Sequence, residues 1–200
     1  QMSNHLAGAI AVGTFFIDLA RILMYTDAGH VNETDSTSPY YGYSLEEFKS
    51  KKSLRKSVEN SIQHFVHSVN HLSRSAVESP FTNLSVFDKP KLALLTADGE
   101  MGWMFEERPY WWKPSISIDC RLTDEENQEF VNEEEKRLWH ECVVDYIYEV
   151  QKVFIEFFDK GDISQEGLPY RFPVTTVNFS KFKDADDKEY IKDTEFLDYM

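Results

Sequence analysis

Cysteine is scarce in this chain, with two among 200 residues, Cys120 and Cys142. Two thiols that far apart in sequence make neither a disulfide framework nor a zinc ligand set, so a reducing, cytoplasmic setting is expected. Basic charge is also short. Lys and Arg total 21 against 35 acids, a formal net charge of −14, which excludes a nucleic-acid backbone or an anionic membrane as the main partner. A nucleotide stays open, because a few local cations suffice to hold a phosphate. No secretory signal pattern occurs, and the apolar run from Leu6 to Tyr25 is interrupted by Asp18 and Arg21. Walker loop, dinucleotide fingerprint, nucleophile triad and catalytic carboxylate pair are all missing.

What is present is enough to build a core, with 42% hydrophobic and 14% aromatic residues. Two hundred residues suit one domain or a piece of a larger one, and Gln1, set directly in a helical pattern, is read as a cut end. The spacing of Leu6, Ile10, Ile17 and Leu23 predicts a helix over roughly Met2 to Tyr25. Thr26 to Tyr43 reads as a polar loop. Ser44 to Glu47 is a capping-box pattern, and Leu54, Val58, Ile62, Phe65, Val66, Val69 and Leu72 carry the following helix toward Ser75. A further helix is predicted from Thr123 to Lys160, closed by Gly161 in a left-handed cap.

Two segments break the helical texture. In Ser79–Asp88, Phe81, Asn83, Ser85 and Phe87 fall on one side of a strand and Thr82, Leu84, Val86 and Asp88 on the other. Tyr170 to Lys181 repeats the pattern, with Pro173 implying an edge, a first-residue position or a bulge. Buried strands that carry Thr, Asn and Ser need hydrogen-bond partners or a ligand that supplies them. Asn83, Ser85, Thr175, Thr176 and Asn178 are therefore the candidate substrate-binding residues, suited to sugar hydroxyls or phosphates. The alternative is that they satisfy one another. Helix, strand, long helix, strand points to parallel strands joined by helical crossovers, a helix-rich α/β fold.

Other groups have plainer readings. Lys49, Lys51, Lys52, Arg55 and Lys56 form the one marked basic cluster, either a solvated helix face or a phosphate site. His64, His67 and His71 share roughly one helix face, but no carboxylate or cysteine completes a ligand set, so no metal site is assigned. Met101 to Pro114, with Trp103, Trp111 and Trp112, reads as an aromatic-anchored loop packed on a neighbour. Cys142 falls on an apolar stripe and reads as a core residue, and no residue of the chain is assigned a catalytic role.

Leu72 to Asp88 (LSRSAVESPFTNLSVFD), Met101 to Phe105 (MGWMF) and Gln151 to Lys181 (QKVFIEFFDKGDISQEGLPYRFPVTTVNFSK) resemble the anaerobic (class III) ribonucleotide reductases. GTFFIDLARIL is similar to that family's helix after a Gly-Gly-Thr-like turn. The tail FKDADDKEYIKDTEFLDYM is similar to the segment that leads toward its radical-cysteine loop. The resemblance runs in order through most of the chain, whereas Thr26 to Tyr43 and Lys89 to Leu122 match poorly.

The resemblance implies a central fragment of the large catalytic subunit. It implies a partial ten-stranded α/β barrel, with helices of a dimer and effector face over 1–75, barrel strands over 79–88 and 170–181, and a crossover helix over 123–160. The implied activity is reduction of ribonucleoside triphosphates to deoxyribonucleotides by glycyl and thiyl radical chemistry. The radical residues and a structural zinc are expected elsewhere in the full protein, and no cofactor in this segment. Deoxynucleoside triphosphate effectors, a homodimer and a radical-SAM activating enzyme are the implied partners. By the same resemblance Gln1 and Ser68 stand at effector-contact positions, Ser68 replacing an acid, and Lys52 or its neighbours Lys51 and Lys56 would supply the effector's lysine. The competing reading is a non-catalytic helical interaction module, or a split relative that assembles with other chains.

Overall fold

The structure is a computed structural model, and it describes residues 9–25, 42–70, 81–97, 99–106, 108–109, 111–112, 133–162 and 166–199. Gln1, the loop expected from Thr26, His71, the helix end toward Ser75, Cys120 and the helix start at Thr123 lie outside the described residues.

The strand expected over Ser79–Asp88 is β2, Phe81–Phe87, the middle strand of a three-stranded parallel sheet. Its neighbours are β1, Ala9–Val12, and β3, Val174–Asn178. Thr82, Leu84 and Val86 are buried, whereas Phe81, Asn83, Ser85 and Phe87 are not. That alternation is what one helix-covered face and one open face impose on a period of two.

β1 corrects the helix expected over Met2–Tyr25. Ala9–Val12 pairs in parallel with Phe81–Leu84, Gly13 and Thr14 turn, and α1 runs only over Phe15–Tyr25. Ala9–Val12 offers a helix little apolar surface to bury, and sheet pairing satisfies its backbone instead. Once past Thr14, whose hydroxyl donates to the Asp18 carboxylate at 2.8 Å, the helical pattern is real. Phe16, Ile17, Ala20, Leu23 and Met24 are all buried on one face. The sheet thus has three parallel strands where two were expected, and among the described residues no closed barrel forms.

The capping box at Ser44 forms as read. Its hydroxyl accepts from the Glu47 amide at 3.2 Å, while the Glu47 carboxylate accepts from the Ser44 amide at 3.1 Å. The helix is split, however, because Lys51 leaves helical geometry at φ −81° and ψ 94°. It separates α2, Leu45–Ser50, from α3, Lys52–Asn70. After β2, Asp88 caps an unexpected α4, Lys89–Thr96, accepting from the Lys91 amide at 2.9 Å, with Pro90 in the first turn where its missing N–H costs nothing.

A 27-residue α5, Glu133–Asp159, then spans about 40 Å and packs against α1, α3 and α4. Gly161 ends it at φ 64°, and a Cβ there would lie 2.5 Å from the Gly167 carbonyl oxygen. Pro173, preceded by a cis peptide, stands directly before β3, an edge of the described sheet. A hairpin of β4, Lys181–Lys183, and β5, Glu189–Ile191, leads to α6, Thr194–Tyr199.

The core lies between the sheet and α5. Phe16 meets Phe154 at 5.0 Å, Phe48 stacks on Tyr146 at 5.4 Å, and Trp112 meets Trp139 edge-on at 5.0 Å. Trp139 donates its indole N–H to the Phe105 carbonyl at 2.8 Å, and Trp111 donates to the Met24 carbonyl at 2.8 Å. Trp111 and Trp112 anchor onto α1 and α5, as expected of a loop packed on a neighbour, whereas Trp103 is exposed. Arg108 and the buried Glu135 add an ion pair at the same seam.

Candidate functional site: the open face of the sheet

In a parallel sheet, residues in register point to the same side. Asn83 pairs with Ala11 and Val174, Ser85 with Thr176, and Phe87 with Asn178. These residues therefore share the face that the helices leave open. Asn83 and Thr176 meet there directly: the hydroxyl accepts from the amide nitrogen at 2.8 Å and donates to the amide oxygen at 3.2 Å. Asn178 donates to the Val86 and Thr176 carbonyls, each at 3.2 Å. Phe81, 47% exposed, and Val174, 40% exposed, place apolar surface beside these polar groups. Two amides, two hydroxyls and apolar flanks on one rigid wall can orient a polar, hydroxyl-bearing ligand by hydrogen bonds. They hold no acid, base or nucleophile of their own.

Thr175 stands apart from the other four residues assigned to substrate. It pairs with Leu84, so it points to the helix side, where its hydroxyl is buried with no partner among the described residues.

The C-terminal end of β2 is held by side chains that sequence reasoning did not single out. Gln151 of α5 is buried, its amide nitrogen donating to the Phe87 carbonyl at 2.9 Å and its oxygen accepting from the Phe87 amide at 2.9 Å. β1 pairs with β2 only as far as Leu84, so this amide does for Phe87 what another strand would do. The Asp88 carboxylate, also buried, accepts from the Ser180 amide and, at 3.3 Å, from the Ser180 hydroxyl, which ties the end of β3 to the start of α4. Asp193 accepts from the Lys89 amide at 3.0 Å and from the Phe196 amide at 3.1 Å, joining α4 to α6. A readable signal existed for Gln151, a lone amide on the apolar stripe of Ile147, Val150 and Phe154. For Asp88 the signal was an acid two residues before a proline.

The basic cluster is largely paired within the chain. Lys51 meets Glu47 at 2.7 Å, Lys56 meets Glu59 at 3.0 Å, and Arg55 meets Glu149 at 3.4 Å and Glu156 at 3.2 Å. Lys49 reaches Glu149 at 3.9 Å. Burial would raise the Glu47 carboxyl, but hydrogen bonds from Lys51 and the Ser44 backbone hold it below its ordinary range. Lys52 is exposed and has no ion pair among the described residues. Ser68, also exposed, donates to the His64 carbonyl at 2.7 Å. Lys52 and Ser68 stand on one helix more than four turns apart, about 24 Å along its axis, and the structure does not bring them together.

Among the described residues no group of three His, Cys, Asp or Glu side chains converges to hold a metal. His67 instead lies beside the Tyr170 ring at 6.1 Å. The Cys142 thiol is pushed up to about 12, chiefly by burial and then by Asp145, which suits a packed residue and not a nucleophile. No described helix is long and apolar enough to cross a membrane.

Comparison with known proteins returns one family. The family model described as anaerobic ribonucleoside-triphosphate reductase matches residues 1–198. Searches of curated proteins and of solved structures return no match. With the match running through every described element, from β1 to α6, the chain belongs to the anaerobic ribonucleoside-triphosphate reductase family.

Proposed function

We propose that this chain supplies a substrate-facing wall of an anaerobic reductase that converts ribonucleoside triphosphates to deoxyribonucleotides. The observation that carries the reading is the gathering of Asn83, Ser85, Thr176 and Asn178 on the one sheet face that no helix of the described residues covers. In this reading the three parallel strands are part of a larger α/β barrel, and the open face is its interior. Asn83, Ser85 and Thr176 orient the ribose or its phosphates by hydrogen bonds. Asn178 fixes the end of the wall, and Thr175 supports it from behind. The radical-bearing cysteine and glycine come from other sequence of the full protein, and they supply the hydrogen-atom chemistry. The role of this segment is to bind, to orient and to exclude water.

A deoxynucleotide effector and a homodimer belong to the same reading, with α2 and α3 toward the partner. An effector held by one copy of α3 meets Lys52 or Ser68, not both, given their separation. Gln1 is assigned to the same effector contact. Calorimetry with dATP, dGTP and dTTP on the assembled dimer tests that assignment: Lys52→Ala weakens binding, and equal affinity in both proteins removes Lys52 from the site.

The substrate wall is tested in the complete, activated reductase. Asn83→Ala and Ser85→Ala each lower kcat/KM for a ribonucleoside triphosphate by about three- to tenfold, the worth of one hydrogen bond. Unchanged values for both remove the wall from the active site. Turnover by the 200-residue chain alone would overturn the placement of the radical residues elsewhere.

A further inference from the structure

Two side-chain amides in this molecule imitate a strand. Gln151 makes both backbone hydrogen bonds of Phe87 at 2.9 Å each, and Asn70 does the same for Phe172, whose amide donates to the Asn70 oxygen at 3.0 Å. They hold opposite ends of the open face. Phe172 meets Phe81 edge-on at 5.6 Å, at the N-terminal end of β2, whereas Phe87 closes its C-terminal end in register with Asn178.

The C-terminal end is the one where parallel α/β folds place their chemistry, because loops from successive strands converge there. At that end β1 has already stopped, so nothing else in the described sheet fixes Phe87 from the β1 side. On the other side Asp88 donates its amide to the Asn178 carbonyl at 3.0 Å and holds Ser180 through its carboxylate. Gln151 reaches this rim from the middle of α5, the most heavily packed helix, and is itself 1% exposed. A buried amide bonded through both its oxygen and its nitrogen to one residue's backbone is fixed in orientation. The rim inherits that rigidity.

We propose that Gln151 is a positioning residue for the reductase: through the backbone of Phe87 it sets the Phe87–Asn178 rim against which the substrate is oriented. The inference rests on the substrate-wall reading above. Gln151 touches no substrate. Its removal lets the end of β2 shift, and a displacement on the order of an ångström is enough to cost turnover heavily.

The test uses the complete, activated reductase, with turnover expressed per folded molecule. Gln151→Met keeps the length and removes both hydrogen bonds. It lowers kcat by about tenfold or more while KM stays nearly constant. Asn70→Leu removes the matching pair at the other end, lowers the melting temperature comparably, and leaves kcat within about twofold.

Gln151→Glu adds a readout that simple loss of stability would not give. Its carboxylate accepts from the Phe87 amide but repels the Phe87 carbonyl, and once protonated it offers one donor and one acceptor, as the native amide does. Its turnover relative to the native enzyme therefore rises as pH falls.

Equal kcat in native and Gln151→Met enzymes overturns the proposal, as does an equal loss in Asn70→Leu, or a flat relative pH profile for Gln151→Glu. If Asn83→Ala and Ser85→Ala impair the enzyme but Gln151→Met does not, the positioning role alone fails. If none of them does, the wall reading fails with it.

Discussion

The two faces of β2 do opposite work from neighbouring positions in the sequence. Leu84 and Val86 are completely buried in the core, while Asn83 and Ser85, one residue away, face the side the helices leave open. The closed face is apolar and aromatic; there Gln151 is bonded to Phe87 and Trp139 to the Phe105 carbonyl, whereas the Thr175 hydroxyl is buried with no partner among the described residues. The open face mixes amide, hydroxyl and exposed phenylalanine. Its internal hydrogen bonds, such as Asn83 to Thr176, lie exposed and are exchangeable for a ligand's. One strand therefore separates stability from recognition by its period of two, and substitutions on the two faces should separate in the same way.

The largest effect is expected deep on the closed side. Trp139→Ala removes a fully buried indole and strands the Phe105 carbonyl, a loss of about 3–5 kcal/mol of stability by denaturant unfolding. Leu84→Ala follows at about 2–5 kcal/mol, with turnover lost only as the protein unfolds. Asp88→Ala takes the cap from α4 and the acceptor from the Ser180 amide together, a loss of about 2 kcal/mol. A Leu84→Ala protein as stable as the native one would erase the distinction between the faces.

At the small end are the surface carboxylates. Hydrogen bonding to Lys152 holds Glu195 below its ordinary range, and contacts with Lys51 and Ser44 do the same for Glu47 against the cost of burial. A carboxyl lowered in the folded state stabilises fully above its unfolded value of 4.5 and loses that contribution as pH falls through the lower folded value. Each pair is exposed enough for solvent to screen it, so Glu47→Gln should remove no more than about 0.5 kcal/mol, and only above that window. A larger change at neutral pH would make the α2 cap a principal support of the fold.

Much of this division was legible in the order of residues. The alternation through Phe81–Asp88 marks the faces of β2, and the apolar spacing through α3 and α5 marks their buried stripes. The capping box at Ser44 and the cap at Gly161 are local chemistry, and both form as read. Local pattern failed where a distant partner decides. Ala9–Val12 is a strand because β2, some 70 residues on, pairs with it. Thr175 and Thr176 look alike in sequence, yet the register with β2 sends one behind the sheet and the other to its open face. For Lys49, Lys51, Arg55 and Lys56 the sequence leaves a solvated helix face and a phosphate site both open until Glu149, Glu156, Glu59 and Glu47 are seen against them. Gln151 shows in the sequence only as a lone amide on an apolar stripe, because its partner is the backbone of a residue 64 positions away.

The central claim is that the open face of β2 and β3 meets the substrate. It is tested most directly by kcat/KM for a ribonucleoside triphosphate in the complete, activated reductase carrying Asn83→Ala and Ser85→Ala together, alongside its melting temperature. The account predicts a fall of roughly tenfold or more at an unchanged melting temperature. Native kcat/KM in that double variant would contradict it.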